Sequence, residues 1–240
     1  MSNSTAPELP TIPKPTPWEE LLRLDGKCAI VTGGSRGLGE AIVRRLVQAG
    51  AAVVFTGRGA TALTALQDEL AQSGADAVGV VADMAALPDL QMVVDAATDR
   101  FGGVDILVNN AAIYPPSVAL ETTEELFDGV VGADLKGAFF LAQYAAKAMI
   151  ARGAGGRIIN LLSTDAFKPM GPLAAYASAK AGLFGLTRVA AMEAGKLGYG
   201  VRVNCIYPGL VPTAMGAGLA NDVAQLGLFP SPEAAVGAVV

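Results

Sequence analysis

The chain has 240 residues, which is long enough for one domain with a substantial buried core. Its formal net charge of −5 and its 17 scattered Lys and Arg residues argue against a nucleic-acid-binding surface. Histidine is absent from the sequence, which excludes Ser-His-Asp and Cys-His catalysis and removes the commonest metal ligand. Proton chemistry must therefore use Tyr, Lys, Asp or Glu, and we predict no metal site.

The N-terminal segment, residues 1–23, is predicted to be an extended arm because it contains five prolines before Trp18. It has neither the basic start nor the apolar core of a secretory signal. Charged residues or glutamine interrupt every apolar run before it reaches the length of a membrane span. Cys28 and Cys205 have no partner at metal or redox spacing, so we interpret them as buried thiols of a reducing compartment. We expect a cytoplasmic protein without a membrane partner.

From residue 27 onward, short apolar runs rich in β-branched residues alternate with helical patterns. The predicted strands are KCAIVT, AAVVFT, AVGVV, DILVN, RIINLL and VRVNCI. The predicted helices are EAIVRRLVQAG, ALTALQDELAQSG, LQMVVDAATDRFG, ADLKGAFFLAQYAAKAMIARG and AAYASAKAGLFGLTRVAAMEAGKLG. This alternation predicts that residues 24–240 form a single α/β domain, with a Rossmann-like, doubly wound parallel sheet and helices on both faces. The ligand site should lie beyond the carboxyl ends of the strands.

The first predicted strand runs directly into TGGSRGLGEAI, in which Gly33, Gly37 and Gly39 open a helix. Glycines suit this position because the chain must turn tightly and bring backbone N–H groups close to a pyrophosphate at the positive end of a helix dipole. The spacing G-x-x-x-G-x-G differs from the commoner G-x-G-x-x-G. The pattern favours dinucleotide binding, and the alternative is an ordinary glycine turn.

The second predicted strand ends in Thr56, Gly57 and Arg58, where an NAD-binding protein usually places an acid that binds the ribose 2′-OH. Two guanidinium groups, of Arg36 in the glycine loop and of Arg58, can hold a 2′-phosphate through forked hydrogen bonds. We therefore expect NADP to be favoured over NAD, although both side chains are also explained as solvated surface arginines.

The third and fourth predicted strands also end in polar residues. Asp83 follows one of them, and Asn109 and Asn110 end the other, followed by Ala111 and Ala112. Such side chains suit contacts with the adenine and ribose, and each is equally explained as a turn cap.

Tyr176 and Lys180 lie four residues apart in LAAYASAKAG, so they share one helix face. Lowering a tyrosine pKa from about 10 to about 7 takes roughly 4 kcal/mol. One lysine charge at about 4 Å supplies about that much at an effective dielectric constant near 20. Ser163, at the end of RIINLL, can converge with Tyr176 on a carbonyl oxygen that gains charge and a proton during reduction. The alternative is that Tyr176 and Lys180 are two ordinary helix residues.

In chain order, these motifs are TGGSRGLG at 32–39, NNAA at 109–112, Ser163 thirteen residues before Tyr176, Tyr176-x-x-x-Lys180, and Pro208-Gly209 followed by Thr213. With this set, the chain from about Leu24 to its C-terminus resembles the short-chain dehydrogenase/reductase family. The resemblance implies that Tyr176 is the acid/base and that Ser163 hydrogen-bonds the substrate oxygen. It also implies that Lys180 grips the nicotinamide ribose and lowers the Tyr176 pKa, while Thr213 meets the carboxamide.

The implied cofactor-binding set is Gly33, Ser35, Arg36, Gly37, Leu38, Gly39, Arg58, Asp83, Met84, Asn110, Tyr176, Lys180, Pro208, Gly209, Val211 and Thr213.

Two features depart from the family pattern. Asp134 stands where the family usually has an asparagine that completes a proton relay toward the lysine. Aspartate can substitute if the backbone carbonyl carries that role, whereas the relay is impaired if the amide does. Pairing of Asp134 with Lys180 would also weaken the effect of that lysine on Tyr176. The second departure is that SPEAAVGAVV resembles the start of the family's final helix and the last strand is missing, so we expect a C-terminally incomplete sequence.

The expected function is NADP-dependent interconversion of a secondary alcohol and a ketone. The predicted rim of the site, Tyr114, Phe167, Met170, Leu173 and residues 210–229, is mostly apolar, which favours a cyclic or medium-sized substrate over a polyol. If the chain is complete, the resemblance implies a homodimer or homotetramer. The alternative function is a catalytically weak or inactive dinucleotide-binding sensor on the same fold.

Overall fold

The structure is a computed structural model that describes residue 17 and residues 20–169 and 171–237. Its sheet has six parallel strands in the order β3-β2-β1-β4-β5-β6. The strands are β1 (Cys28–Val31), β2 (Ala52–Gly57), β3 (Ala77–Val81), β4 (Ile106–Asn109), β5 (Gly156–Leu161) and β6 (Val201–Ile206). Each predicted apolar run forms a strand, so the predicted doubly wound parallel sheet is confirmed.

Helices connect the strands. They are α1 (Gly37–Gln48), α2 (Ala60–Gln72), α3 (Leu87–Phe101), α4 (Glu124–Val131), α5 (Ala138–Arg152), α6 (Ala174–Lys196), α7 (Ala214–Gln225) and α8 (Pro232–Gly237). A π-helical turn, Gly132–Gly137, joins α4 to α5. The helices α4 and α7 were not predicted, and the predicted fourth helix begins with this π-turn before it becomes α5.

The core lies on both faces of the sheet because successive strand residues point to opposite sides. Along β1, Ile30 packs in the cluster that includes α3 and α5, whereas Ala29 and Val31 pack in the cluster that includes α1 and α2. All four residues of β1 are buried. A parallel strand covered on both faces needs apolar residues throughout, which explains the continuous apolar runs in the sequence.

The order of the strands in the sheet determines where the ligand-binding crevice lies. Strand β1 pairs with β2 on one side and with β4 on the other, so the chain winds outward from β1 in both directions. Loops that leave the carboxyl ends of β1 and β4 therefore diverge and leave a crevice between them, which is where open α/β sheets bind ligands.

Several predictions concern the ends and the surface of the chain. Most of the predicted arm, namely residues 1–16, 18 and 19, lies outside the described residues. Within the part of the chain that is described, β6 is an edge strand, and the lack of a last strand stays a prediction. Among the described helices, none is both long and apolar enough to cross a membrane. Both cysteines are free, but only Cys28 is fully buried, whereas Cys205 is half-buried on β6.

Candidate active site

The glycine loop after β1 needs glycine at specific positions. Gly33 and Gly37 adopt φ values of 64° and 57°, in the left-handed region that side chains disfavour. At Gly39, an added Cβ would collide with the carbonyl oxygen of Gly33 and would lie 2.6 Å from Nδ2 of Asn110. The loop therefore folds tightly against itself and against the end of β4, as the glycine pattern predicted.

The N-terminus of α1 fits an anionic group. The N-cap residue, Arg36, makes no side-chain capping bond, so backbone N–H groups at the positive end of the helix lack a side-chain acceptor there. An added carbon at Gly37 would lie 3.7 Å from Thr213 Cγ2, so this end of the helix faces the start of α7. The side chains of Arg36 and Arg58 are both exposed. The cradle has the donors that a pyrophosphate requires.

Asn110 joins the ends of β1 and β4. Its Nδ2 donates to the carbonyl oxygen of Thr32 at 2.8 Å, and its backbone N–H donates to Thr32 Oγ1 at 3.0 Å. The N–H of Ala111 donates to the same hydroxyl at 2.9 Å. The side chain of Asn110 is thus used to position the loops that border the crevice.

Asp83 and Met84 follow β3 at the same edge of the sheet. The carboxylate of Asp83 accepts from the N–H of Ala85 at 2.9 Å, which is the turn-capping role that the sequence left open. Met84 is buried, with 8% of its surface exposed. Its carbonyl oxygen lies against Gly137, where any Cβ would collide with it. These two residues therefore connect the crevice to the π-turn that carries Asp134.

Ser163 lies two residues after the end of β5 and is 7% exposed. Its hydroxyl donates to Oδ2 of Asp165 at 2.9 Å and accepts from the N–H of Asp165 at 3.1 Å. It also lies close enough to Tyr176 to act on the pKa of that phenol, which it lowers. The expected convergence of Ser163 and Tyr176 is therefore present, and Asp165 joins them.

Tyr176 and Lys180 lie near the start of α6. Lys180 is only 2% exposed, and its Nζ donates to the carbonyl oxygen of Leu161 at 3.0 Å. The same Nζ lies 5.4 Å from the centre of the Tyr176 ring. The tyrosine is half-buried, and its ring makes an edge contact with that of Tyr114 at 6.4 Å between centroids. The predicted pair thus occupies one face of α6, directed toward the carboxyl end of β5.

Asp134 is held in the π-turn between α4 and α5 and is 1% exposed. Its Oδ1 accepts from the N–H of Ile113 at 2.9 Å. Its Oδ2 lies 3.7 Å from Nζ of Lys180, which is an ion pair but too long for a hydrogen bond. Among the buried side-chain nitrogen and oxygen atoms that the structure describes, this oxygen alone has no hydrogen-bond partner. Asp134 and Lys180 are therefore paired, which is the arrangement whose effect on Tyr176 the sequence left open.

Burial determines the protonation of this group of side chains. It raises the pKa of Asp134 to about 6, although the charge of Lys180 opposes the change. It lowers the pKa of Lys180, against the attraction of Asp134. Burial, followed by the charge of Asp134, raises the pKa of Tyr176. This direction is opposite to the one expected from Lys180, because burial and, after it, the charge of Asp134 both disfavour the ionised phenol.

The segment after β6 leads into α7. The carbonyl oxygen of Pro208 accepts from the N–H of Thr164 at 3.1 Å, which ties this segment to the one after Ser163. The N–H of Thr213 donates to the carbonyl oxygen of Val211 at 2.7 Å, and its hydroxyl caps α7 by accepting from Gly216 N at 3.2 Å. Gly209 lies between these anchors. Thr213 therefore borders the crevice and also caps a helix.

The predicted rim is partly assembled by direct contacts. The hydroxyl of Tyr114 donates to the carbonyl oxygen of Met215 in α7 at 2.6 Å, and a side-chain carbon at Gly218 would lie 3.1 Å from that hydroxyl. Phe167 is 59% exposed and contacts Phe184 at 5.0 Å between ring centroids. Met170 lies outside the described residues.

Sequence reasoning missed two features of the site. Asn109 Nδ2 donates to Asn160 Oδ1 at 2.9 Å, and Asn160 Nδ2 donates to Thr187 Oγ1 at 2.8 Å, which ties β4, β5 and α6 together beneath the site. The asparagine at position 160, in an otherwise apolar strand, was the available signal. Asp165 was also missed, although an acid two residues after a strand-end serine was visible in the sequence.

Comparison with known proteins agrees with this geometry. A family model described as short chain dehydrogenase matches residues 27–224. An L-rhamnose 1-dehydrogenase (NAD(P)(+)) of Azotobacter vinelandii is 39% identical over 191 residues, 78% of this chain and 74% of the relative. A 3-oxoacyl-[acyl-carrier-protein] reductase of Vibrio cholerae is 34% identical over 216 residues, 90% of this chain and 86% of the relative.

Solved structures show the same similarity. An actinorhodin polyketide ketoreductase variant, solved with NADPH, superposes with a TM-score of 0.79 at 34% identity, over 83% of this chain and 76% of that one. A dehydrogenase/reductase from Sinorhizobium meliloti 1021 gives a TM-score of 0.76 at 36% identity, over 82% and 77% of the two chains. The chain therefore belongs to the short-chain dehydrogenase/reductase family.

Proposed function

We propose that this protein is an NADP(H)-dependent oxidoreductase that interconverts a secondary alcohol and a ketone, with Tyr176 as the general acid/base. The observation that carries the proposal is the convergence of Ser163, Tyr176 and Lys180 at the carboxyl edge of the sheet, beside the glycine loop. The nicotinamide cofactor, when bound, supplies or accepts the hydride. The remaining tasks, which are orientation and proton transfer, fall to the side chains of this chain.

In the direction of ketone reduction, Tyr176 donates a proton to the substrate oxygen. Its raised pKa keeps the phenol protonated at neutral pH, which suits a proton donor. Ser163 lies close enough to Tyr176 to act on its pKa, so a substrate oxygen placed between the two is within reach of both hydroxyl groups. In the direction of alcohol oxidation the same tyrosine has to lose its proton first, which the raised pKa opposes.

Lys180 and Asp134 form a buried pair next to Tyr176. The bond to Leu161 and the ion pair with Asp134 hold Lys180 on the same side of α6 as the tyrosine. We propose that Lys180 contacts the nicotinamide ribose, as the family resemblance implies, and that Asp134 occupies the relay position usually held by asparagine. The sensor alternative has less support, because Ser163, Tyr176 and Lys180 are all present and adjacent.

The cofactor preference rests on Arg36 and Arg58. Both are exposed at the carboxyl edge, one in the glycine loop and one after β2, where they can meet a 2′-phosphate. The full cofactor-binding set predicted from the sequence is part of this proposal. So are residues 24–240 as one catalytic domain, a cytoplasmic location, and a homodimer or homotetramer if the sequence is complete.

The names of the relatives include L-rhamnose, sorbitol and galactitol dehydrogenases as well as ketoacyl reductases. They support oxidation and reduction at an alcohol or carbonyl carbon, and they span chemically different substrates.

The test is turnover of NADPH by the purified chain with a panel of cyclic and acyclic ketones, followed as loss of NADPH absorbance. We expect consumption with at least one ketone and little with the Tyr176→Phe variant. Binding of NADPH without consumption across the panel would instead support the sensor alternative.

A further inference from the structure

The site contains a carboxylate that the proposed chemistry does not use. Asp165 is half-buried on a short 3₁₀ helix, Thr164–Ala166, directly after Ser163. Its Oδ2 accepts a hydrogen bond from the Ser163 hydroxyl at 2.9 Å. The backbone N–H of Asp165 donates to Ser163 Oγ at 3.1 Å. The serine that is expected to meet the substrate oxygen is thus bonded twice to the same aspartate.

This pairing restricts what Ser163 can do. A hydroxyl has one hydrogen to donate, and here it is directed to Asp165. To donate to a substrate carbonyl, Ser163 must turn that hydrogen away and Asp165 must give up a charge-assisted hydrogen bond. Losing such a bond without a replacement is costly for a partly desolvated carboxylate. A substrate that supplies a new donor to Asp165 would remove that cost.

The position of Asp165 defines where the donor should be. The carboxylate lies one hydrogen-bond length from Ser163 Oγ, next to the place of the reacting oxygen. Its charge also acts on Tyr176, whose pKa it helps to raise, which places it close to the reacting centre. Oxygens on neighbouring carbons of a diol or hydroxyketone stand about as far apart as two hydrogen-bonded oxygens. A carboxylate offers about four lone-pair positions, so it can accept from a substrate hydroxyl in addition to its existing contacts.

We infer that Asp165 is a specificity-determining residue that selects substrates with a hydroxyl group on the carbon next to the reacting carbon. The inference rests on the proposed function and names its substrate class: vicinal diols and the corresponding 2-hydroxyketones. Anionic substrates such as 2-oxo acids are disfavoured, because a carboxylate would face Asp165. The exposed rim residue Phe167 remains available to cover the carbon skeleton. The substrate class predicted from the sequence was based on the apolar rim residues alone and did not include a hydroxyl group next to the reacting carbon.

The experiment compares trans-1,2-cyclohexanediol with cyclohexanol, which share a ring and differ by one hydroxyl. Oxidation by NADP⁺ is measured for the wild type, for Asp165→Ala, and for Asp68→Ala, which removes an exposed carboxylate on α2. We expect the ratio of kcat/KM for diol over cyclohexanol to be about 10 to 100 in the wild type, the range for a hydrogen bond to a charged group. It should be near one in Asp165→Ala and unchanged in Asp68→Ala.

The outcomes separate the inference from the proposed function. If the wild type oxidises alcohols and Asp165→Ala leaves the ratio unchanged, the inference is overturned and the function stands. If the wild type oxidises neither compound, the inference is tested by calorimetry, which measures the affinity of the NADP⁺ complex for each of the two compounds. A diol preference that is lost in Asp165→Ala would support the inference, and equal binding would overturn it. If Asp165→Ala does not fold by circular dichroism, Asp165→Asn replaces it, and its ratio must fall several-fold because the charge is lost.

Discussion

Two buried aspartates at opposite ends of the sheet are paired in different ways. Asp105, just before β4 at the amino end, is 5% exposed and accepts hydrogen bonds from Cys28 N at 2.9 Å, Arg152 at 2.8 Å and Lys27 at 3.3 Å. Asp134, at the carboxyl end, is 1% exposed and accepts one hydrogen bond, while its second oxygen has only the ion pair with Lys180 at 3.7 Å.

The two carboxylates respond differently to burial. Burial by itself would raise the pKa of Asp105, but the hydrogen bonds from Cys28, Arg152 and Lys27 outweigh it, and the pKa is lowered. At Asp134 burial dominates and the pKa rises to about 6. The amino end of the sheet therefore stabilises its charge, whereas the carboxyl end keeps an incompletely bonded charge beside Tyr176. Such local costs are typical of functional sites.

The largest expected effect is at the carboxyl end. Tyr176→Phe should reduce kcat by about 100-fold or more, because it removes the proton donor while leaving the ring in place. Affinity for NADPH, measured by fluorescence titration, should stay nearly the same. Tyr144→Phe is the matched control, since it removes a half-buried tyrosine hydroxyl on α5 away from the site. Turnover by Tyr176→Phe within a few-fold of the wild type would reject the assignment.

At the amino end, Asp105→Asn should mainly affect stability. Removing this carboxylate weakens its charge-assisted hydrogen bonds to Arg152 and Lys27, and we expect a loss of about 2 kcal/mol in the free energy of unfolding by urea. Because Asp105 lies far from the crevice, kcat of the folded fraction should be unchanged. Asp68→Asn, at an exposed position, should stay within about 0.5 kcal/mol. If Asp105→Asn changes the free energy of unfolding by an equally small amount, the hydrogen bonds of Asp105 do not stabilise the fold.

Asp134→Asn should change the free energy of unfolding in the opposite direction from Asp105→Asn. A folded pKa above the ordinary 3.8 means that the folded state binds more protons, so Asp134 makes the wild type lose stability as pH rises from about 4 through about 6. The difference corresponds to at most roughly 3 kcal/mol. We expect Asp134→Asn to be more stable than the wild type at pH 7 and equal to it near pH 4, in urea titrations at both pH values.

Activity of the same variant is expected to be equal or higher, because the amide no longer offsets the charge of Lys180. If Asp134→Asn is less stable at pH 7 and loses most activity, then the ion pair is a net stabiliser and the reaction depends on the carboxylate.

The smallest effect concerns cofactor selection. Arg58→Ala should weaken NADPH binding by about tenfold and leave NADH binding unchanged, since a phosphate bound by guanidinium is lost. Arg157→Ala is the control, because it removes an exposed arginine at the amino end of β5. Fluorescence titration of both reduced cofactors measures the effect. Equal affinity of the wild type for NADPH and NADH would eliminate the proposed preference.

Much of the fold was predictable because its signals are local. The six apolar runs became strands, since a parallel strand covered on both faces needs continuous apolar residues. The glycines at 33, 37 and 39 were predictable for a similar reason, because positive φ and close backbone approach exclude other side chains. The four-residue spacing of Tyr176 and Lys180 placed both on one face of α6 without further information.

Tertiary structure decided how those residues are charged and paired. In the π-turn that carries Asp134, Gly137 packs closely against Met84, which lies more than 50 positions earlier in the chain. The orientation of Asp165 toward Ser163 and the raised pKa of Tyr176 likewise depend on side-chain placement and burial. A sequence shows which ionisable groups exist. Their protonation depends on desolvation and on neighbours brought together from distant positions, which only the folded chain specifies.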